Sequence, residues 1–158
     1  MPSPESSDFP TGTTDEKELY LRWLGFLRRA VLRKVDGLDE AGARWTPEGR
    51  LIPLLGIVNH LTRVEWRWID GGMLGGEVSR SEEEFRPGPE LPLAAAVEAY
   101  RARAAATDAV VRSLPLDAPC RIWEADLRFV LLHLINETAR HAGHADAVRE
   151  LLDGSTGE

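Results

Sequence analysis

Apolar residues recur at three- and four-residue spacing in four segments of the chain, and nowhere do they alternate with polar residues at the two-residue period of a strand. That pattern leaves helix-on-helix packing as the architecture. The first segment runs from about Asp15 to Asp36 and aligns Leu19, Trp23, Phe26, Leu27, Ala30, Val31 and Lys34. Thr14 or Asp15 is placed to cap it and Gly37 to end it. The second runs from about Pro53 to Met73, with Leu54, Ile57, Leu61, Val64 and Trp68 as its stripe. Pro53 suits the first turn, where its missing N–H has no intrahelical partner. The third spans about Leu93 to Leu114, with Ala94, Val97, Tyr100, Ala104, Thr107, Val110 and Val111 inward. The fourth runs from about Leu127 to Leu152 and stops at Asp153-Gly154. The links after the first and third segments are short, whereas residues 75–91 form a long, acidic connection broken by Gly and Pro. These features predict an all-α four-helix bundle over residues 15–154, with a long crossover between its second and third helices. Residues 1–14, rich in Pro, Ser and Thr, read as a flexible N-terminal tail.

The chain's 158 residues fit one domain. Its 26 acidic against 19 basic residues give a net charge of −7, which disfavours a nucleic-acid partner because phosphate binders carry a basic face. Arg outnumbers Lys by 17 to 2, a bias that reads as the mark of a GC-rich genome. The single cysteine, Cys120, excludes an internal disulfide framework and a Cys-rich zinc finger. It suits a reducing cytoplasm. No run of 18 apolar residues is present, so no membrane span is expected, and the polar N-terminus lacks the pattern of a signal peptide.

The fourth segment contains His133, Glu137, His141 and His144. At about 100° per residue from His133, Glu137 falls near 40°, His141 near 80° and His144 near 20°. Val130 and Val148 fall near 60°, and Leu134 and Leu152 near 100°, by the same rule. The ionisable groups therefore lie inside the apolar stripe. A buried carboxylate without a partner costs several kcal/mol or takes up a proton. A divalent cation removes that conflict and uses imidazole in its neutral form. Glu137 and His141, four residues apart, can reach one point beside the helix. His60, the only histidine outside this segment, lies at the edge of the second stripe and supplies the third ligand. The expected site is His60, Glu137 and His141, an open three-ligand set that also suits non-haem Fe(II). The competing structural reading makes Glu137–His141 a helix ion pair and His60 a hydrogen-bonded core residue. His133 reads as a hydrogen-bond partner or a core residue, and His144 as a pocket residue, an alternative ligand or a structural one.

These residues resemble the DinB-like superfamily and, within it, the DUF664 group. The superfamily also holds thiol-dependent transferases and the mycothiol-dependent maleylpyruvate isomerase. The match is carried by Pro53-Leu-Leu-Gly-Ile-Val-Asn-His60-Leu, by Leu127-Arg-Phe-Val-Leu-Leu-His133 and by Glu137-Thr-Ala-Arg-His141-Ala-Gly-His144-Ala-Asp146. The segment from Tyr20 to Leu38 resembles the group's first helix. The resemblance covers about Asp15 to Gly154. It implies an up-down-down-up bundle and a divalent metal, zinc first, with nickel or iron as alternatives. Many members have a third histidine where this chain has Glu137; the isomerase has Glu, so its His-Glu-His set carries over to His60, Glu137 and His141. His144 stands where many relatives have Gln and inherits no ligand role.

The implied chemistry is a transferase or isomerase in which the metal activates a low-molecular-weight thiol, mycothiol, as co-substrate. The thiolate then attacks a small electrophilic substrate. Trp23, Trp66 and Trp68 are candidates for the pocket wall, against a plain core-filling role. Arg63, Arg67 and Arg140 are candidates for holding substrate carboxylates, against a solvated role. Cys120 is not expected to be the nucleophile, since the thiol comes from outside. Two alternatives stand beside this expectation: a thiol-independent lyase, hydrolase or cyclase, and a non-catalytic metal-binding stress protein. Related bundles also admit a homodimer.

Overall fold

A computed structural model describes residues 8–157. Among them are five α-helices and no strand: α1 (Glu16–Arg33), the short α2 (Glu40–Arg44), α3 (Leu54–Trp66), α4 (Leu93–Ser113) and α5 (Leu127–Asp153). The four long helices are the four predicted from the periodicity. Their ends follow local chemistry. The Asp15 carboxylate accepts from the Glu18 N–H at 2.8 Å and caps α1. Asp126 does the same for α5 through the Phe129 N–H at 2.9 Å. Pro53 and Pro92 precede α3 and α4 in extended conformation, and Gly154 ends α5 in the left-handed region. The last seven residues of the predicted second helix, Arg67–Met73, continue α3 as a π-helix.

Two buried clusters fix the directions of the helices. One joins Val31 and Val35 at the end of α1, Leu54 to Leu61 on α3, Leu93 to Tyr100 at the start of α4, and Ala145 and Val148 late in α5. The other joins Leu21 and Leu24 early in α1, Val64 and the π segment, Val111 late in α4, and Leu127 to Leu134 early in α5. So α1 and α5 run one way, while α3 and α4 run the other. This is the up-down-down-up order, and residues 74–92 provide the crossover that two parallel neighbours need.

The buried face of α1 differs from the expected stripe. Leu21, Leu24, Arg28 and Val31 point inward, whereas Trp23, Phe26 and Leu27 are only half-buried. The cause is a second covering layer. Phe9 packs edge-on against Trp23 and Phe26, with ring centroids 5.6 and 5.8 Å apart. Asp8 pairs with Arg29 at 2.7 Å, and Arg22 donates to the Thr11 carbonyl at 2.5 Å. Residues 8–11 of the expected tail thus lie against α1, and residues 1–7 lie outside the described residues. No described helix is long and apolar enough to cross a membrane.

Candidate metal centre

Antiparallel packing of α3 on α5 brings His60 opposite Glu137 and His141. One ligand atom from each lies within 4.8 Å of the other two. The Glu137 Oε2 atom is shared: His60 Nε2 is 3.6 Å away and His141 Nε2 is 3.5 Å away. These spans are too long for good hydrogen bonds. Two ligands at about 2.0–2.1 Å from one ion in tetrahedral geometry would stand about 3.4 Å apart. The charges agree with the distances. Glu137 has no Lys or Arg within ion-pair distance among the described residues, only the two imidazoles. Burial drives the His141 pKa down to about 4, assisted by the neighbouring His60, so its ring is neutral at pH 7. A half-buried carboxylate between imidazoles, one of them held neutral, fits a divalent cation in donor type, charge and spacing.

The remaining histidines fall on either side. His133 faces the cavity beside the three residues, 4.3 Å centroid to centroid from Trp68. Burial lowers its pKa below the ordinary histidine value, and it makes no hydrogen bond among the described residues. His144 lies behind His141, with its Nδ1 3.3 Å from the Nδ1 of His141, and does not line the cavity. It borders a separate, apolar recess with Leu51, Ile52 and Val148.

The cavity has a volume of about 690 Å³. Trp68, Arg67 and Arg140 line it. Trp66, Trp23 and Arg63 do not: Arg63 lies over the Trp66 ring at 4.4 Å, and Trp23 belongs to the Phe9 cluster. Arg67 is committed elsewhere, since it forks the Glu84 carboxylate at 2.7 and 2.9 Å. Cys120 is half-buried against the second core cluster and is not on the cavity wall.

Several wall residues had no signal in the sequence. Trp123, 46% exposed, stacks on Trp68 with centroids 4.1 Å apart and planes 23° apart. It reaches there because the loop before α5 hangs on the π segment, where the Arg121 N–H donates to the Gly72 carbonyl at 2.6 Å. From the crossover come Val78, Ser79, Arg80 and Phe85. Glu84, also from the crossover, is buried and meets His60 Nδ1 at 2.7 Å. Burial works to raise its pKa, but hydrogen bonds from Arg67 and His60 outweigh it and hold the carboxyl below its ordinary value. In the sequence this residue is one of three consecutive glutamates in a polar connection, and nothing there separates it from its neighbours.

No curated protein is matched by this chain. A family model described as mycothiol-S-transferase matches residues 20–154, from the first turns of α1 to the glycine that ends α5. The chain belongs to the mycothiol-S-transferase family.

Proposed function

We propose that this chain is a zinc-dependent S-transferase that joins mycothiol to a small electrophile, with His60, Glu137 and His141 as the metal ligands. The observation that carries the proposal is the Glu137 carboxylate set 3.5–3.6 Å from two imidazole Nε2 atoms, with no Lys or Arg partner among the described residues, at the wall of an open cavity. When bound there, a divalent ion supplies Lewis acidity that favours the thiolate of an incoming thiol. The protein supplies the rest. His133 is neutral and without a hydrogen bond among the described residues, which suits it to take the proton that leaves the thiol sulfur. Trp68 and Trp123 stack into a flat apolar wall against which the apolar part of a substrate can pack. Arg80 and Arg140 border the cavity without ion-pair partners among the described residues, so they are free to orient a polar or anionic part of a substrate. His144 steadies the His141 ring from behind through its Nδ1 contact.

The test couples metal content to thiol consumption. Glu137→Ala and His141→Ala should stay folded and lose zinc by elemental analysis. They should also lose mycothiol consumption by more than the roughly 10–100-fold expected from deleting a mere partner of a ligand. His133→Asn should keep zinc and slow turnover. Full zinc retention in both ligand variants contradicts the site. Turnover of electrophiles without any thiol contradicts the transferase reading and favours chemistry on water instead.

A further inference from the structure

We propose that Glu84 is a positioning residue for the metal centre: it accepts the His60 Nδ1 hydrogen and so presents the His60 Nε2 lone pair to the point shared with Glu137 and His141. This role rests on the metal reading above. Glu84 Oε2 lies 2.7 Å from His60 Nδ1. Arg67 forks the same carboxylate, Nη1 to Oε1 at 2.7 Å and Nη2 to Oε2 at 2.9 Å. A carboxylate held this way is ionised and can only accept, so the hydrogen of the His60 bond sits on Nδ1. In a neutral imidazole the other nitrogen then bears the lone pair. That nitrogen, Nε2, is the one 3.6 Å from Glu137. Among the described residues no other group bonds Nδ1, so loss of Glu84 frees the ring to carry its hydrogen on Nε2, the form that has no lone pair there for the cation.

The crossover is built to deliver this contact. Asn59, next to His60 on α3, donates to the Glu84 carbonyl at 2.9 Å. The Phe85 ring stacks on the His60 imidazole with centroids 4.3 Å apart and planes 28° apart. Gly56, one turn earlier, leaves room for the strap, since a Cβ there would stand 1.8 Å from the Phe85 carbonyl oxygen. An ion pair with Arg67 alone would explain a buried Glu84. It would not explain the second bond aimed at the far nitrogen of a candidate ligand, or the ring stacked on the same imidazole.

Proton–nitrogen correlation spectra of histidine-labelled, metal-free protein at mildly alkaline pH read the tautomer directly, with His60 assigned by its loss in His60→Gln. The wild type should show the Nδ1–H form at His60, and a predominant Nε2–H form there overturns the proposal. Glu84→Ala should lose that preference and bind zinc about 10–100-fold more weakly. Arg67→Lys keeps a cation beside the carboxylate and should retain the tautomer. A folded Glu84→Ala with unchanged tautomer and unchanged zinc Kd overturns the role while leaving the metal site standing. Should that variant fail to fold, the wild-type tautomer decides alone. Wild-type protein without zinc affinity overturns the metal reading and this role with it.

Discussion

His141 shows the energetic character of the centre most directly. Burial, with the His60 imidazole beside it, holds its pKa near 4, against 6.5 for a free histidine. Between these values the unfolded chain binds a proton that the folded, metal-free protein refuses. Stability therefore falls as pH drops from about 6.5 toward 4, by up to about 2–3 kcal/mol. Thermal melts of the metal-free protein across that window should show the decline, and His141→Gln should flatten it. An unchanged slope in that variant would locate the acid sensitivity elsewhere. Glu137 and His141 were legible in the sequence because ionisable groups interrupted an apolar stripe, a conflict that demands a cause, and His60 because it is the only histidine outside that segment and borders a second stripe. Arg28 interrupts a stripe too, and there the same signal was lost among 17 arginines. Glu84 gave no signal at all: it lies outside any periodic segment, and only the folded crossover shows which of three glutamates turns inward.

At the scale of elements, the helices were readable because caps, prolines and apolar spacing all pointed to the same limits. The inward face of α1 was not, because Phe9 lets a second apolar side of that helix find cover. The π-helical end of α3 was not either, since its residues carry no distinctive spacing. The crossover is the element whose role the sequence concealed most. It reads as a solvated acidic link, yet it packs on α3 through Gly56 and contributes part of the cavity wall. Glycine inside a helix costs about 1 kcal/mol relative to alanine, so its place at Gly56 has a packing reason. Gly56→Ala should force the Phe85 carbonyl away and destabilise the protein by about 1–3 kcal/mol. It should also weaken zinc binding although Gly56 is not itself a proposed ligand. Calorimetry and zinc titration of this variant check both effects, and wild-type zinc affinity would show that the strap's seating does not matter to the centre.

Across the whole molecule, three long helices are tied by one buried charge network. Arg28 on α1 bonds Glu65 on α3 through Nε at 2.9 Å and Nη2 at 2.6 Å, and reaches Asp108 on α4 at 3.0 Å. Glu65 is 1% exposed, so Glu65→Ala would leave a buried guanidinium without its main partner. A loss of about 3–5 kcal/mol is expected in denaturant titration. The up-down-down-up order, by contrast, was already implied by the resemblance of the helix motifs, and the length of the 75–91 link allows it. That order sets α3 antiparallel to α5, and so places His60 against the Glu137–His141 pair of the proposed metal centre. Cobalt-loaded protein titrated with mycothiol tests the proposed thiol-binding metal centre most directly. A sulfur-to-cobalt charge-transfer band should grow to saturation in the wild type and be absent in Glu137→Ala and His141→Ala. A cobalt spectrum that mycothiol leaves unchanged, or a band that survives both substitutions, would contradict it.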